Sequence, residues 1–289
     1  MKKIISLALV LALSVLMLAA FVSCKPVTPD NEPVVKIIDV KLTEEEYAFV
    51  CKKGNTALVE DFNAFFAGIQ ADGTFDALVD KYFKGTGTKV GYDVTTTDVT
   101  NTEGKFVVAT NCPFEPFEYI GDDGKIYGLD IEIAAAYAAA KDLELVIKNI
   151  GFDDIFAQVD AGYADMGMAG ITASADRIDL YDFTTLYYEA SQKIIVAADN
   201  TDFDACETVE DVEEVISNLS GKKIGYQNGT TGGMYVNGDE DWGYVGFSNI
   251  EGKGYPTAQD ALNDLINGNI YAVVVDEAPA NALVNAINN

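Results

Sequence analysis

The sequence contains one arginine, Arg177, in a chain of 289 residues that has no histidine and a formal net charge of −27. An arginine guanidinium stays charged and offers a planar fork of donors that can hold both oxygens of a carboxylate. So acidic a chain repels small anions unless a positive group is placed to capture them. We therefore predict that Arg177 binds the carboxylate of a small ligand. The alternative is a surface ion pair with Asp176 or Asp179.

Two further segments carry groups that could bind charged parts of a ligand. The turn from Gly229 to Gly232, which includes Thr230 and Thr231, precedes a predicted helix. Free N–H groups at a helix N-terminus attract anions, although an ordinary capped helix start has the same sequence. Asp276 ends a run of β-branched residues, where an acid is expected to face a cleft rather than the core. Its alternative role is to cap the next helix, and both roles can hold together.

The composition excludes several classes of function. Because the chain is strongly acidic, nucleic acid is not expected as a partner. Without histidine or clustered cysteines, neither a metal site nor a cofactor is expected, and most hydrolytic chemistry is disfavoured. Cys51, Cys112 and Cys206 show no disulfide framework. They are free thiols, or Cys51 pairs with Cys112.

Residues 1–24 resemble a targeting segment. Lys2 and Lys3 precede an apolar run, and Ser23 stands directly before Cys24. This pattern predicts a lipoprotein signal peptide whose Cys24 is lipidated; an uncleaved membrane anchor is the alternative. Either way, the rest of the chain is expected outside the cytoplasm, tethered through the proline-rich residues 25–33.

Predicted strands and helices alternate from residue 105 onward, which indicates an α/β fold with mainly parallel sheets and ligands at the strand C-termini. Strands are predicted at 106–110, 143–150, 164–169, 193–197, 223–226 and 270–275, and helices at 129–141, 152–161, 209–219, from 231, at 257–266 and at 278–286. Before them lie predicted strands at 34–39 and 47–51, helices at 55–70 and 75–83, and a threonine- and glycine-rich linker at 84–104. Asp130 and Thr257 are predicted helix caps.

Six motifs lie along the chain at residues 110–119, 128–133, 170–177, 182–188, 225–231 and 272–277. In this order they resemble motifs of the polar amino-acid-binding proteins of bacterial ABC importers, which are extracellular solute-binding proteins of family 3 with the periplasmic binding protein type II fold. Each motif alone is weak, but their shared order along the chain is specific.

The last part of the family's sequence resembles segments at the front of this chain, at residues 42–47, 50–55 and 71–83. We therefore predict a circular permutation in which residues 84–104 join the family's usual termini. Surface termini tolerate such rearrangement. The alternative is an unrelated N-terminal domain with chance similarity.

The resemblance implies two lobes joined by two crossing strands, with a cleft that closes on the ligand by hinge bending. Residues 34–41 are expected to complete lobe 2 and form the first crossover. Lobe 1 is expected to span 42–192, and the second crossover with lobe 2 to span 193–289.

The resemblance also implies a role for each candidate site residue in binding a free amino acid. Arg177 and Thr172 would hold its carboxylate, joined from lobe 2 by Thr231 in the turn that contains Thr230. Asp276 and the Gly170 carbonyl would accept its ammonium group.

Five further residues concern the ligand's side chain. Phe114 and Phe152 match positions where the family stacks aromatic rings on it, although core packing is the commoner role of such residues. Asn111 stands where family members that take basic ligands have an acid, which favours a neutral polar side chain. Gln227 and Glu115 could change that, since Glu115 could serve a cationic ligand.

The resemblance thus implies a lipid-anchored, monomeric solute-binding protein at the periplasm or cell surface, which is not an enzyme. It would deliver an amino acid to an ABC permease. One alternative is an enzyme on the same fold resembling the cyclohexadienyl (prephenate or arogenate) dehydratases, with Glu115 or Glu189 as general acid. Another is a ligand-sensing surface lipoprotein that works without a permease.

Overall fold

A computed structural model describes residues 32–95 and 102–288. The strands are β1 (Val35–Ile38), β2 (Glu45–Tyr47), β3 (Val50–Lys52), β4 (Lys105–Thr110), β5 (Tyr119–Ile120), β6 (Ile126–Tyr127), β7 (Glu144–Asn149), β8 (Met166–Gly167), β9 (Tyr181–Phe183), β10 (Tyr188–Ala190), β11 (Gln192–Ala197), β12 (Lys223–Gln227), β13 (Glu251–Tyr255) and β14 (Ala272–Asp276). The helices are α1 (Thr56–Ala71), α2 (Thr74–Phe83), α3 (Leu129–Ala140), α4 (Phe152–Asp160), α5 (Ala175–Leu180), α6 (Val209–Asn218), α7 (Thr231–Asn237), α8 (Ala258–Ile266) and α9 (Glu277–Asn288).

The predicted lipoprotein signal, including Cys24, lies outside the described residues, as does most of the tether. Within the described ranges, no helix has the length and apolar character needed to cross a membrane.

Two five-stranded sheets form two lobes, ordered β7-β4-β8-β3-β9 in lobe 1 and β1-β11-β14-β12-β13 in lobe 2. Each is mixed rather than mainly parallel: β3 runs antiparallel to both its neighbours, and so does β11. The reason lies in the chain path, because β3 and β11 begin at the connection between the lobes while their neighbours end there. The C-terminal ends of the remaining central strands therefore face the cleft, as predicted.

The connection consists of two crossing strands, as predicted. In it β2 pairs with β10 in an antiparallel ladder, with Tyr47 opposite Tyr188 and Glu45 opposite Ala190. The Leu42 N–H continues the pairing by donating to the Gln192 carbonyl at 2.9 Å. This narrow ribbon is the only sheet among the described residues that joins the two lobes, so it is suited to act as a hinge.

The N-terminal part of the described chain is built into both lobes. Strand β1 pairs with β11 in lobe 2, and β3 lies inside the sheet of lobe 1. Phe62 and Phe66 of α1, with Tyr82 of α2, pack in one apolar cluster with Phe106 and Tyr137 of lobe 1. Residues 43–83 therefore share a core with residues 105–190.

The described part of the predicted linker, residues 84–95, lies against lobe 1. The backbones of Tyr92 and Ile126 exchange hydrogen bonds of 2.9 Å, and the Thr95 N–H donates to the Ile147 carbonyl at 2.8 Å. Residues 92–95 are therefore hydrogen-bonded to the backbone of lobe 1.

One of the two predicted helix caps is wrong. Thr257 caps α8, accepting a hydrogen bond from the Asp260 N–H at 3.1 Å. Helix α3 starts instead after Gly128, whose φ is 145° and whose missing Cβ would lie 1.8 Å from the Phe117 carbonyl oxygen. Asp130 is consequently the second residue of the helix rather than its cap, and it is fully buried.

The three cysteines in the described residues are free thiols, so the alternative pairing of Cys51 with Cys112 is wrong. Cys51 is buried in the lobe 1 core, and this burial raises the pKa of its thiol to about 12. It is therefore an unreactive packing residue.

Candidate functional site

A pocket between the lobes brings together all the candidate ligand-binding residues except Glu115. Each lobe contributes residues at the C-terminal ends of its central strands or in the turns that follow. The lining residues are Asn111, Phe114, Glu118, Phe152, Ala169, Gly170, Thr172, Arg177, Gln227, Thr230, Thr231 and Asp276. That these side chains bind a ligand stays a prediction; that they meet is an observation.

Arg177 is buried at 6% exposure, so the alternative of a surface ion pair is wrong. Its guanidinium donates to the carbonyl of Thr172 in lobe 1 at 3.0 Å and to that of Gly229 in lobe 2 at 2.9 Å. Burial lowers the pKa of Arg177, although nearby carboxylates oppose that shift. Two of the guanidinium's five N–H groups are used in these bonds. Three remain to bind a carboxylate.

Aromatic rings enclose the guanidinium. Its central carbon lies 5.7 Å from the ring centre of Phe152, 5.1 Å from that of Phe156 and 5.9 Å from that of Trp242. Such faces attract cations and exclude water, which strengthens the attraction between the guanidinium and an anion.

The hydroxyl groups of Thr172 and Thr231 are hydrogen-bonded to a carboxylate of the protein itself. Both donate to Oε2 of Glu45, at 2.6 and 2.8 Å. Because a hydroxyl has one donor hydrogen, only the backbone N–H groups of these threonines are left to donate to a ligand carboxylate. The prediction that Thr172 holds the ligand carboxylate therefore depends on its backbone N–H, because its hydroxyl binds Glu45.

Glu45 is a site residue that the sequence reasoning missed. It lies on β2 with 5% exposure, and its Oε1 accepts from Thr43 at 2.7 Å and from Gln192 at 3.2 Å. One carboxylate thus contacts both lobes and both crossing segments. The available signal was strand alternation: in Glu45-Glu46-Tyr47 the first and third residues are buried and the middle one is exposed.

Asp276 lies at the end of β14 with 5% exposure, and the Tyr47 hydroxyl donates to it at 2.5 Å. Burial, together with the negative charge of Glu45, raises the pKa of Asp276 to about 7, although hydrogen bonds from Tyr47 and Gln192 oppose the shift. A positively charged group in the pocket would favour its ionised form. Asp276 can therefore accept an ammonium group.

Asp130 is hydrogen-bonded to the turn at Gly170, which lines the pocket. It accepts a hydrogen bond from the Gly170 N–H at 3.1 Å and another from the Tyr187 hydroxyl at 2.8 Å. Gly170 has φ 53°, and a Cβ there would lie 2.5 Å from the Phe114 ring. Asp130 and Phe114 thus fix the turn that presents the Gly170 carbonyl. Burial raises the pKa of Asp130 to about 7.

Asn111 and Gln227 close the pocket from opposite lobes. The Gln227 amide donates to Oδ1 of Asn111 at 2.7 Å, and Nδ2 of Asn111 donates to the Ile150 carbonyl at 2.6 Å. Thr230 hydrogen-bonds the Gln227 carbonyl at 2.8 Å and stabilises the turn. The two amides therefore bind mainly each other.

Glu115 and Glu189 do not belong to the pocket. Glu115 is partly exposed and its carboxylate lies 3.8 Å from the Lys89 ammonium group, whereas Glu189 is exposed on β10. Because Glu115 does not line the pocket, the structure does not support the prediction that it serves a cationic ligand. Neither residue is placed to act as a general acid there.

We expect the ligand-free protein to become more stable as pH falls from 8 to 6. The folded-state pKa of Asp276 and of Asp130 is about 7, above the value of about 3.9 for an unfolded chain. The folded protein therefore takes up protons in this window, and proton uptake by the folded state stabilises it. The measurement is the melting temperature from pH 8 to pH 5. In Asp276→Asn the rise in melting temperature as pH falls should be smaller. An equal rise in variant and wild type would show that Asp276 does not contribute to it.

Comparison with known proteins finds similarity to one family. The sequence model of the bacterial extracellular solute-binding proteins, family 3, matches residues 106–285. The ABC transporter arginine-binding protein 1 of Escherichia coli K12 is 28% identical over 177 residues, 61% of this chain and 65% of the relative. The L-cystine-binding protein TcyJ of the same organism is 27% identical over 186 residues, 64% of each. The match thus spans slightly less than two thirds of these relatives.

Among solved structures, the arginine-bound form of truncated ArgBP from T. maritima superposes with a TM-score of 0.54 at 29% identity. The alignment covers 64% of this chain and 79% of that one. The two-lobed architecture therefore agrees with that of a known amino-acid-binding protein.

Proposed function

This chain belongs to the bacterial extracellular solute-binding proteins, family 3, and we propose on that premise that it captures a free amino acid between its lobes. One observation carries the proposal: a buried guanidinium, Arg177, and a buried carboxyl, Asp276, line the same pocket. A free α-amino acid carries a carboxylate and an ammonium group on adjacent atoms, so it can satisfy both. Two relatives are named as arginine-binding and L-cystine-binding proteins, which supports this class of ligand.

Closure of the two lobes is the proposed means of capture. Arg177 and Asn111 of lobe 1 each hydrogen-bond a residue of lobe 2, and the Glu45 carboxylate binds Thr172 and Thr231 from opposite lobes. These contacts form only when the lobes meet. A ligand that adds contacts to both lobes shifts the hinge equilibrium toward the closed arrangement.

The proposed setting is outside the cytoplasm, at the periplasm or cell surface. There the chain would work as a monomer anchored through a lipid on Cys24 and would deliver its amino acid to an ABC permease. The family's name and the transporter relative support this setting. The dehydratase alternative loses support, since its two candidate acids, Glu115 and Glu189, lie outside the pocket.

A thermal-shift screen of the chain from residue 25 onward tests the proposal. The panel holds the twenty amino acids, polyamines, dicarboxylates and prephenate. A ligand at a thousandfold excess over its Kd adds about 4 kcal/mol, a shift on the order of 10 °C for this size. We expect one or a few amino acids to give such a shift. No shift from any amino acid, or turnover of prephenate, would sink the proposal.

A further inference from the structure

Glu118 is a pocket residue whose carboxyl group is left without a hydrogen bond. Its side chain is fully buried and lines the pocket. Neither of its oxygens has a hydrogen-bond partner among the residues that the structure describes. The other acids here are bound: Glu45 by four donors, Asp130 by Gly170 and Tyr187, and Asp276 by Tyr47. A buried polar group without a partner is uncommon and calls for an explanation.

The charges around the pocket do not balance. Glu45, Glu118, Asp130 and Asp276 line the pocket or bind a residue that lines it, whereas Arg177 is the sole cationic side chain among the described lining residues. A zwitterionic amino acid adds one charge of each sign, which Arg177 and Asp276 are placed to bind. Glu118 is then still unpaired. A ligand with one more positive group would supply its partner.

The surroundings of Glu118 favour pairing with a cation. Burial, with the added negative charge of Asp130, raises the pKa of Glu118 well above its usual range. Without a ligand, the carboxyl therefore avoids the cost of an isolated buried charge by holding a proton. A nearby cation would reverse that preference.

Resting on the proposed function, we propose that Glu118 binds the positively charged side chain of the ligand, which is a cationic amino acid such as arginine or lysine. The neighbouring Phe114, whose N–H donates to the Glu118 carbonyl at 2.7 Å, offers an apolar face to the methylene chain, and Phe152 lines the same pocket.

This proposal replaces the expectation of a neutral polar side chain. That expectation came from Asn111, but Asn111 is already hydrogen-bonded to Gln227 and to the Ile150 carbonyl. Its amide therefore does not require a neutral polar partner from the ligand. Glu118, by contrast, has no such partner within the described chain.

Calorimetry with a matched ligand pair tests the proposal. Citrulline has the shape of arginine but carries a neutral urea in place of the guanidinium. We expect the wild-type chain to bind arginine or lysine at least about tenfold more tightly than citrulline. This is the change in affinity that corresponds to the free energy of a hydrogen bond to a charged group. Glu118→Gln should lose that preference and keep its affinity for citrulline. Glu115→Gln is the control, because it removes a partly exposed carboxylate that lies in the same loop but outside the pocket. It should behave as wild type.

The outcomes separate this inference from the proposed function. If wild type binds citrulline or glutamine as tightly as arginine, the inference is overturned while amino-acid capture stands. If Glu118→Gln weakens arginine and citrulline equally, Glu118 has a structural role only. If no amino acid binds, the proposed function fails and this inference with it. Should Glu118→Gln not fold, the wild-type comparison of arginine with citrulline decides alone.

Discussion

Replacing Arg177 with alanine should weaken amino-acid binding on the order of 100-fold or more, as expected when one partner of a buried charge pair is removed. Arg177 is the chain's one arginine and the pocket's cation. Its guanidinium also joins the Thr172 and Gly229 carbonyls across the cleft. The variant therefore loses both an anion site and an interlobe contact. Calorimetry with the amino acid found in the screen measures the loss, and a thermal melt confirms folding.

A ligand comparison separates these two losses. The α-amide of the same amino acid lacks the carboxylate, so it should bind wild type weakly and Arg177→Ala almost as well as wild type. Lys253→Ala is the control for charge, because Lys253 is partly exposed and pairs with Asp264 away from the pocket. An Arg177→Ala affinity within a few-fold of wild type would remove the carboxylate assignment.

Replacing Asp276 with asparagine should weaken α-amino acids on the order of 100-fold, the scale of a lost buried charge pair, and should leave their des-amino analogues nearly unchanged. Asparagine keeps the shape but cannot balance an ammonium charge. Because the pKa of Asp276 in the ligand-free protein is about 7, wild-type affinity should also fall as pH drops from 7 to 5. The variant should show a smaller fall.

Binding of each amino acid and its des-amino partner to both proteins provides the measurement. Asp264→Asn, another acid of lobe 2 that pairs with Lys253, is the matched control and should bind both ligands as wild type does. Equal losses for the two ligands in Asp276→Asn would end the ammonium role of Asp276.

The elements were the most predictable part of this protein. Apolar periodicity placed β4, α4 and α8 within one residue of their observed ends, because local spacing alone determines which face of an element is buried. The Asp130 cap failed for a nonlocal reason. Helix α3 begins where the Phe117 carbonyl leaves room only for Gly128, and no local pattern carries that contact.

The candidate site was predictable where a motif carried it and not where distant residues met. The residues inferred from the resemblance line one pocket, with the exception of Glu115. Glu45 was missed because its partners Thr172 and Thr231 lie 127 and 186 residues away. Glu118 was missed because its importance lies in the partner it lacks.

We propose that the chain is a circular permutation of its family's usual order. Two observations support this: the family's sequence model matches only residues 106–285, and residues 43–83 pack into the core of lobe 1. Strand β1 likewise pairs inside lobe 2. An experimental structure with residues 43–83 folded as a separate domain would contradict the proposal.

The most direct test of the central claim is a crystal structure of the protein with the amino acid that gives the largest thermal shift. We predict that the ligand lies between the lobes, with its carboxylate about 3 Å from the Arg177 guanidinium and its ammonium group equally close to Asp276, at hydrogen-bond distance. A ligand bound elsewhere, or one whose carboxylate points away from Arg177, would contradict it.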